Sequence, residues 1–322
     1  MRAIQFTETG GPEILKVVEV ETPEPKPGQV RVRHEAIGIN FIDTYHRTGL
    51  YPVKFPCTPG GEAAGVVDAV GEGVTRHKVG DRVAYSGGFG AYAEANVVAA
   101  DRVVKVPEGV DVRVAAASLL KGMTTEAFVR RTYPVKAGET VLVHAAVGGV
   151  GQIMTQWLKA IGAEVIATVG SEDKAARARE LGADHVILYR EQDVAAEVRR
   201  ITGGKGVPVA YDSVGKDTFE GTLASLARRG LFISFGNASG PVPPFPPARL
   251  AQGGSLYITR PTLFDYVVTT EELDESAGLV FDMIKSGKIK IDIGQTFPLT
   301  EARAAHEALE SRATIGASLL IP

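Results

Sequence analysis

The chain has 322 residues, 44% of them hydrophobic and 23% charged, and a formal net charge of −3. This is the composition of a soluble globular protein long enough for two domains, each with its own core. It excludes a general polyanion-binding surface, offers no apolar run long enough to span a bilayer, and with Cys57 as its one cysteine excludes an intrachain disulfide.

The opening Met1-Arg2-Ala3-Ile4 carries no signal-peptide pattern, and a lone thiol suits a reducing compartment, so the expected location is the cytoplasm. The first third reads as β-rich. Val30–Ala36 and Tyr92–Val98 alternate in part, and Gly65–Gly71 is a short apolar run closed by glycines. Turn signals at Pro27-Gly28, Pro59-Gly60-Gly61, Gly80-Asp81, Gly87-Gly88 and Pro107-Glu108-Gly109 are dense, which suggests a sheet-rich, partly barrel-like domain.

Asp111–Arg131 reads as a helix interrupted near Gly122 and closed by Pro134. A regular alternation follows. Strands are expected at Val141–Ala145, Val165–Val169, His185–Leu188, Val207–Tyr211 and Leu231–Phe235, and helices at Val150–Ile161, Glu172–Leu181, Asp193–Ile201 and Asp217–Ala227. Glycines 162, 182, 203 and 230 stand near the helix ends, where a left-handed stop is common. Single helices between apolar strands imply a parallel sheet covered on both faces. The proline-rich Pro241–Pro247 reads as a stiff surface loop, and Ser255–Thr259 as a further strand. A helix from Glu271 to Gly287, another at Ala302–Leu309 and a strand at Ala317–Ile321 depart from the repeat and are expected to return to the first domain. The fold class is therefore α/β, with residues 1–124 and 262–322 forming a discontinuous β-rich domain and 125–261 a doubly wound, Rossmann-type domain.

The most informative stretch is Ala145-Ala146-Val147-Gly148-Gly149-Val150-Gly151, between a strand and a helix. Ala146, Gly148 and Gly151 stand at the spacing of G-x-G-x-x-G, with alanine in the first position. Taken alone this is equally an ordinary tight turn. Set in a β-α repeat it is a pyrophosphate cradle, because glycine lets the backbone approach the phosphates and the helix N-terminus offers free N–H groups. The next strand ends in Gly170-Ser171, with no carboxylate at its tip to take a ribose 2′-hydroxyl. With Ser171 and Lys174 nearby, charge and space favour the 2′-phosphorylated cofactor, NADPH. Lys174 also opens a solvated basic helix face with Arg177 and Arg179. A zinc site would have to combine Cys57 with residues such as His46 or Glu62, and no ligand cluster is evident, so no metal is expected.

These residues resemble the zinc-independent quinone oxidoreductases of the medium-chain dehydrogenase/reductase superfamily, the group that includes zeta-crystallin. The markers run through the chain in order: Asn40–Tyr45, Gly49-Leu50-Tyr51, Pro59–Gly65, Gly80–Val83, Ala115–Thr124, His144–Gly151, Tyr211–Gly215, Ser234–Asn237 and Glu310–Thr314. The resemblance implies a GroES-like catalytic domain joined to a Rossmann domain, with the active site between them. It also accounts for the missing metal: zinc-bearing relatives carry cysteine where this chain has Asn40, and histidine where it has Gly61.

By the same resemblance Asn40, Tyr45 and Tyr51 line the nicotinamide cleft, and Asp43 joins them in orienting the acceptor. Gly148, Gly149, Val150 and Gly151 hold the pyrophosphate; Gly170, Ser171, Lys174, Tyr189 and Arg312 surround the 2′-phosphate; Phe235 and Gly236 lie along the cofactor; Thr124 contacts the nicotinamide side. The implied reaction passes electrons from NADPH to a quinone without metal or flavin. The implied assembly is a homodimer through the Rossmann sheet edge, here Leu256–Thr259. An NADPH-dependent reductase of enones or alkenals is the alternative on the same scaffold. Readings of another class are an RNA-binding or structural crystallin-like protein, against which the acidic balance and absent RNP motif speak, and a cofactor sensor without turnover.

Overall fold

The computed structural model describes residues 1–311 and 314–322. By its internal contacts the chain divides into two units, Met1–Met123 with Val267–Pro322, and Thr124–Tyr266.

The first unit opens with β1 (Arg2–Gln5), β2 (Lys16–Glu19), β3 (Gln29–Gly38), α1 (Phe41–Thr48), β4 (Glu62–Val70), β5 (Arg82–Ser86), β6 (Ala95–Ala99) and β7 (Val103–Lys105). β3 organises its sheet. Val30, Val32, His34 and Ala36 are buried while Arg33 and Glu35 are exposed, the period-2 pattern of a strand with one face on a core. It pairs antiparallel with β4 from Val30↔Val70 to Ile37↔Ala63 and with β6 from Gln29↔Ala99 to Arg33↔Ala95. Ile4, Phe6, Val30, Val32, Ile37, Val67, Val83, Tyr92 and Leu320 belong to one buried cluster beneath it.

Helix α2 (Val112–Glu126) runs unbroken through Gly122 and continues as a wide π-type turn to Thr132. The expected interruption at Gly122 is thus absent. A Cβ there would sit 2.5 Å from Cγ1 of Val280, so the glycine marks close helix approach and not a break.

The second unit carries the alternation: β8 (Thr140–His144), α3 (Gly149–Ile161), β9 (Glu164–Val169), α4 (Glu172–Glu180), β10 (His185–Leu188), α5 (Val194–Ile201), β11 (Val207–Asp212), α6 (Phe219–Ser225), β12 (Leu226–Ser234), α7 (Ala248–Gln252) and β13 (Tyr257–Thr259). The strands form one six-stranded parallel sheet in the order β10-β9-β8-β11-β12-β13. Leu142, Ile166, Ala210 and Phe232 of the strands are fully buried, which is why each reads as an apolar run and not as an alternation. Gly162, Gly182 and Gly203 have positive φ at the ends of α3, α4 and α5. Gly230 does not stop a helix: β12 begins at Leu226, so α6 is shorter than expected and Gly230 lies inside the strand. In the proline-rich loop, Phe245 packs its ring 5.0 Å from that of Phe219.

The tail supplies α8 (Thr270–Lys285), β14 (Ile293–Pro298), α9 (Ala302–Glu310) and β15 (Ala317–Ile321). β15 pairs with β3 at Leu320↔Ile37, and β14 lies parallel on β15, so the last strands complete the first sheet in the order β14-β15-β3-β4-β5-β7.

Buried histidines make this unit acid-sensitive. His34 Nδ1 lies 2.7 Å from the Ala93 carbonyl and carries the proton, so Nε2 accepts from the Tyr85 hydroxyl at 2.9 Å. Burial pushes His34 down to about 4. The unfolded imidazole takes its proton near about 6.5, so between these values the unfolded chain binds more protons and stability falls as pH falls. We predict that the urea midpoint drops from pH 7 to pH 4 and that His34→Gln, which removes the titrating ring, lessens that slope; an unchanged slope would contradict the assignment.

Candidate functional site

Glu62, the first residue of β4, has 0% exposure. A lone carboxylate there would be forced to take up a proton or move to water. Instead Oε2 accepts from Lys121 Nζ at 2.8 Å and from Asn40 Nδ2 at 2.9 Å, and Oε1 accepts from the Leu120 N–H at 2.7 Å. Lys121 is itself buried, so the charges neutralise one another out of water. Gly38 gives the carboxylate room: a Cβ there would come 2.3 Å from Oε2. The Asn40 amide also points Nδ2 toward the Gly38 carbonyl at 3.4 Å, so its donor side is engaged within the unit.

Asn40 is also the N-cap of α1, and its N–H donates to Asp43 Oδ2 at 2.9 Å. Asp43 is buried at 1% exposure. Burial pushes its carboxyl up to about 7, against the Asn40 and Tyr92 hydrogen bonds and the Lys121 charge, with the Glu62 charge adding to the rise. Further along α1, Tyr45 packs edge-on against Tyr51 with ring centroids 5.5 Å apart, and the His46 ring lies tilted 4.8 Å from that of Phe89. Asn40, Asp43, Tyr45 and Tyr51 are thus grouped on or beside α1, with an aromatic wall.

In the second unit, the residues singled out from the sequence gather at the C-terminal ends of parallel strands. The glycine turn follows β8, Gly170 and Ser171 follow β9, Tyr189 follows β10, and Phe235 and Gly236 follow β12. This is the edge where ligands of open α/β sheets bind, here at the reversal between β8 and β11. Gly151 is obligatory: a Cβ would sit 2.2 Å from the Ala145 carbonyl oxygen. Gly148 is the N-cap of α3, so Gly149, Val150 and Gly151 present first-turn N–H groups. The residue in left-handed conformation is Ala145, with φ 51°, at a cost of about 1 kcal/mol. A Cβ at Gly236 would collide with the Ser213 carbonyl at 2.1 Å, so the two strand-end loops touch through backbone. Thr124 is half-buried on α2. Arg312 lies outside the described residues.

The tip of β9 is basic. A Cβ on Gly170 would meet the Tyr189 hydroxyl at 2.7 Å and Arg190 Nε at 3.4 Å, so both side chains converge on this glycine. Lys174 is half-buried, and its ammonium is pushed below the usual lysine range by burial and by the Arg190 charge. Arg190 is a residue that sequence reasoning missed; its signal was a second cation beside Tyr189. Asp212 was also missed as a support. Fully buried at the end of β11, it accepts from the N–H groups of Val214 and Gly215 at 2.7 and 3.1 Å and from the Thr218 and Thr222 hydroxyls at 2.6 and 2.9 Å. Arg260 Nη1 donates to the Gly236 carbonyl at 3.0 Å and steadies the β12 end.

Among the described residues no three His, Cys, Asp or Glu side chains are placed to hold a metal ion. The carboxylate available for such a site, Glu62, is engaged by Lys121, and the Cys57 thiol is pushed up to about 11 by burial. The glycine cradle and helix N-terminus at β8, with the basic pair and no carboxylate at Gly170-Ser171 after β9, fit a dinucleotide bearing an extra phosphate.

A parallel sheet with this cradle and a β-rich unit with a buried carboxylate define a nucleotide-dependent dehydrogenase of the medium-chain class. Two family models match, described as alcohol dehydrogenase GroES-like domain over residues 26–108 and zinc-binding dehydrogenase over residues 149–279. A quinone oxidoreductase of Salmonella typhimurium is 53% identical over 99% of both chains. A crystal structure of Escherichia coli quinone oxidoreductase complexed with NADPH superposes with a TM-score of 0.98 at 50% identity, covering 100% of both chains. A 2-haloacrylate reductase of Burkholderia is 46% identical over 97% of this chain and 96% of its own. The chain belongs to the quinone oxidoreductases of the medium-chain dehydrogenase/reductase superfamily.

The Glu62–Lys121 pair sets a stability test. Lys121→Met leaves a buried carboxylate without its cation and is expected to cost about 3–5 kcal/mol. Glu62→Gln on that background should restore most of the loss. Urea denaturation of the single and double variants checks this; additive losses would contradict the pairing.

Proposed function

We propose that this protein transfers reducing equivalents from NADPH to a quinone without metal or flavin. The observation that carries the donor assignment is the tip of β9, where Gly170 removes any carboxylate and Tyr189, Lys174 and Arg190 face the same place. A 2′-phosphate is a dianion, and paired cations at a helix N-terminus are its natural counter-charge. Kinship with quinone oxidoreductases across essentially the whole chain supports a quinone as acceptor.

When bound, the reduced nicotinamide supplies the hydride. The residues of the chain bind, orient and exclude water. First-turn N–H groups of α3 hold the pyrophosphate. Asn40, fixed through Glu62, orients the reacting pair. Tyr45 and Tyr51, with His46 and Phe89 beside them, supply flat apolar surface for a planar acceptor. By the family resemblance Asn40 and Gly61 stand where zinc-bearing relatives carry ligands, and Lys121 balances the charge of Glu62.

The 46% identity to a 2-haloacrylate reductase supports a second reading, reduction of an activated alkene, since both acceptors are electron-poor π systems. The homodimer belongs to this proposal as well, along β13, the outer strand of its sheet, where Tyr257 is 55% exposed. The cytoplasm is the location consistent with a single buried thiol.

We predict NADPH oxidation with 1,4-benzoquinones at a kcat/KM above that for enones and haloacrylates, and NADPH preferred to NADH. Lys174→Ala and Arg190→Ala should each raise KM for NADPH roughly tenfold or more and leave KM for NADH within about twofold. Preference for NADH, or alkenes reduced in place of quinones, would overturn the assignment.

A further inference from the structure

A buried polar chain runs through the first unit from α9 to α1. Arg47, 1% exposed, points Nη1 at His306 Nδ1, 3.0 Å away. Its Nη2 pairs with Glu310 Oε1 at 2.6 Å, and Nε donates to the Gly10 carbonyl at 3.1 Å. His306 is wholly buried, and its Nε2 lies 3.0 Å from the Tyr92 hydroxyl. That hydroxyl lies 3.0 Å from Asp43 Oδ2, the oxygen that also accepts from the Asn40 N–H at 2.9 Å. Gly60 makes the approach possible, since a Cβ there would overlap the Tyr92 ring at 2.2 Å.

The direction of every proton in this chain follows from one fact. A guanidinium can only donate. His306 Nδ1 is therefore an acceptor, and its proton sits on Nε2. Nε2–H then donates to the Tyr92 oxygen, and the one phenolic proton has a single destination, Asp43. Burial and the Arg47 charge push His306 down to about 3, so the imidazole stays neutral and the direction is not reversed at ordinary pH.

We propose that Arg47, His306 and Tyr92 are positioning residues of the acceptor end: they lock a one-way hydrogen-bond chain that terminates on Asp43 and, through it, fixes the backbone of Asn40. This rests on the reading of Asn40 as a group that meets the reacting pair. Asn40 is held twice, by Glu62 through its side chain and by Asp43 through its N–H. The second hold depends on charge. Facing Asp43 are Tyr92 from the segment before β6, Lys121 from α2 and Glu62 from β4, with Cys57 sensing its charge; Arg47 and His306 stand behind Tyr92. With burial already holding the Asp43 carboxyl at about 7, loss of the Tyr92 proton moves its titration upward, so at neutral pH the carboxyl is protonated and grips the Asn40 N–H less firmly.

NMR of ¹⁵N-labelled enzyme provides a test that does not depend on turnover. His306 should show protonated Nε2 and bare Nδ1, unchanged from pH 5 to pH 9, and the Asn40 amide proton should titrate with a midpoint near the Asp43 value. In Tyr92→Phe that midpoint moves up. A His306 that titrates or holds its proton on Nδ1, or an Asn40 amide indifferent to the substitution, overturns the proposal. In steady-state assays Tyr92→Phe should lower kcat for quinone roughly tenfold, shift the acid limb of the pH profile upward, and leave KM for NADPH within about twofold. A wild-type kcat and pH profile in Tyr92→Phe would also overturn it. Arg47→Lys, which keeps a donor toward Nδ1, should restore more of the profile than Arg47→Met. Failure of the wild type to reduce any quinone would count against the functional reading alone, because the amide and imidazole signals still decide the chain.

Discussion

A carboxylate shut away from water sets the terms for the first unit. Glu62 cannot keep its charge at 0% exposure unless the fold brings it a cation and donors, and each of them has a structural consequence. Lys121 ties α2 to β4. The Leu120 N–H adds a second point on the same helix. Asn40 is drawn in from the N-cap of α1, and Gly38 must lack a side chain so that the carboxylate fits. The orientation of Asn40, and with it the start of the helix bearing Asp43 and Tyr45, is therefore dictated by the solvation of one buried charge.

The second unit solves the same problem with Asp212. Sealed at the end of β11, it is satisfied by backbone N–H groups and threonine hydroxyls, and so shapes the loop on which Gly236 rests. His144 extends this network. Its ring nitrogens lie 3.0 Å from the hydroxyls of Thr168 and Thr222, linking the ends of β8 and β9 to α6. Strand ends braced in this way hold the glycine turn, the basic tip and Phe235 along one sheet edge. That pre-organisation is what cofactor binding requires when the cofactor brings the chemistry.

Much of this was legible in the sequence because it depends on local rules. The parallel sheet appeared as apolar runs separated by helices, and the expected bounds of β10 and β15 match the observed strands to the residue. The cradle was legible because only glycine tolerates the backbone contact at Gly151. What could not be read was long-range pairing. Glu62 and Lys121 are far apart in sequence, and Tyr92 and His306 farther still, and no periodicity announces that a tyrosine in one loop will meet a histidine on a distant helix. Gly122 misled for the complementary reason: a helix-weakening residue was retained because Val280 packs against it. Arg190 lay beside a singled-out tyrosine but shows its role only once Gly170 and Lys174 are near it.

The central claim is the proposal that this quinone oxidoreductase passes electrons from NADPH to a quinone without a metal, the Glu62 carboxylate being balanced by Lys121. Its most direct test is turnover of NADPH and 1,4-benzoquinone by protein stripped with a strong chelator, its metal content measured by mass spectrometry. The account predicts the rate of untreated protein at substoichiometric metal. A rate lost on stripping and restored by zinc would contradict it.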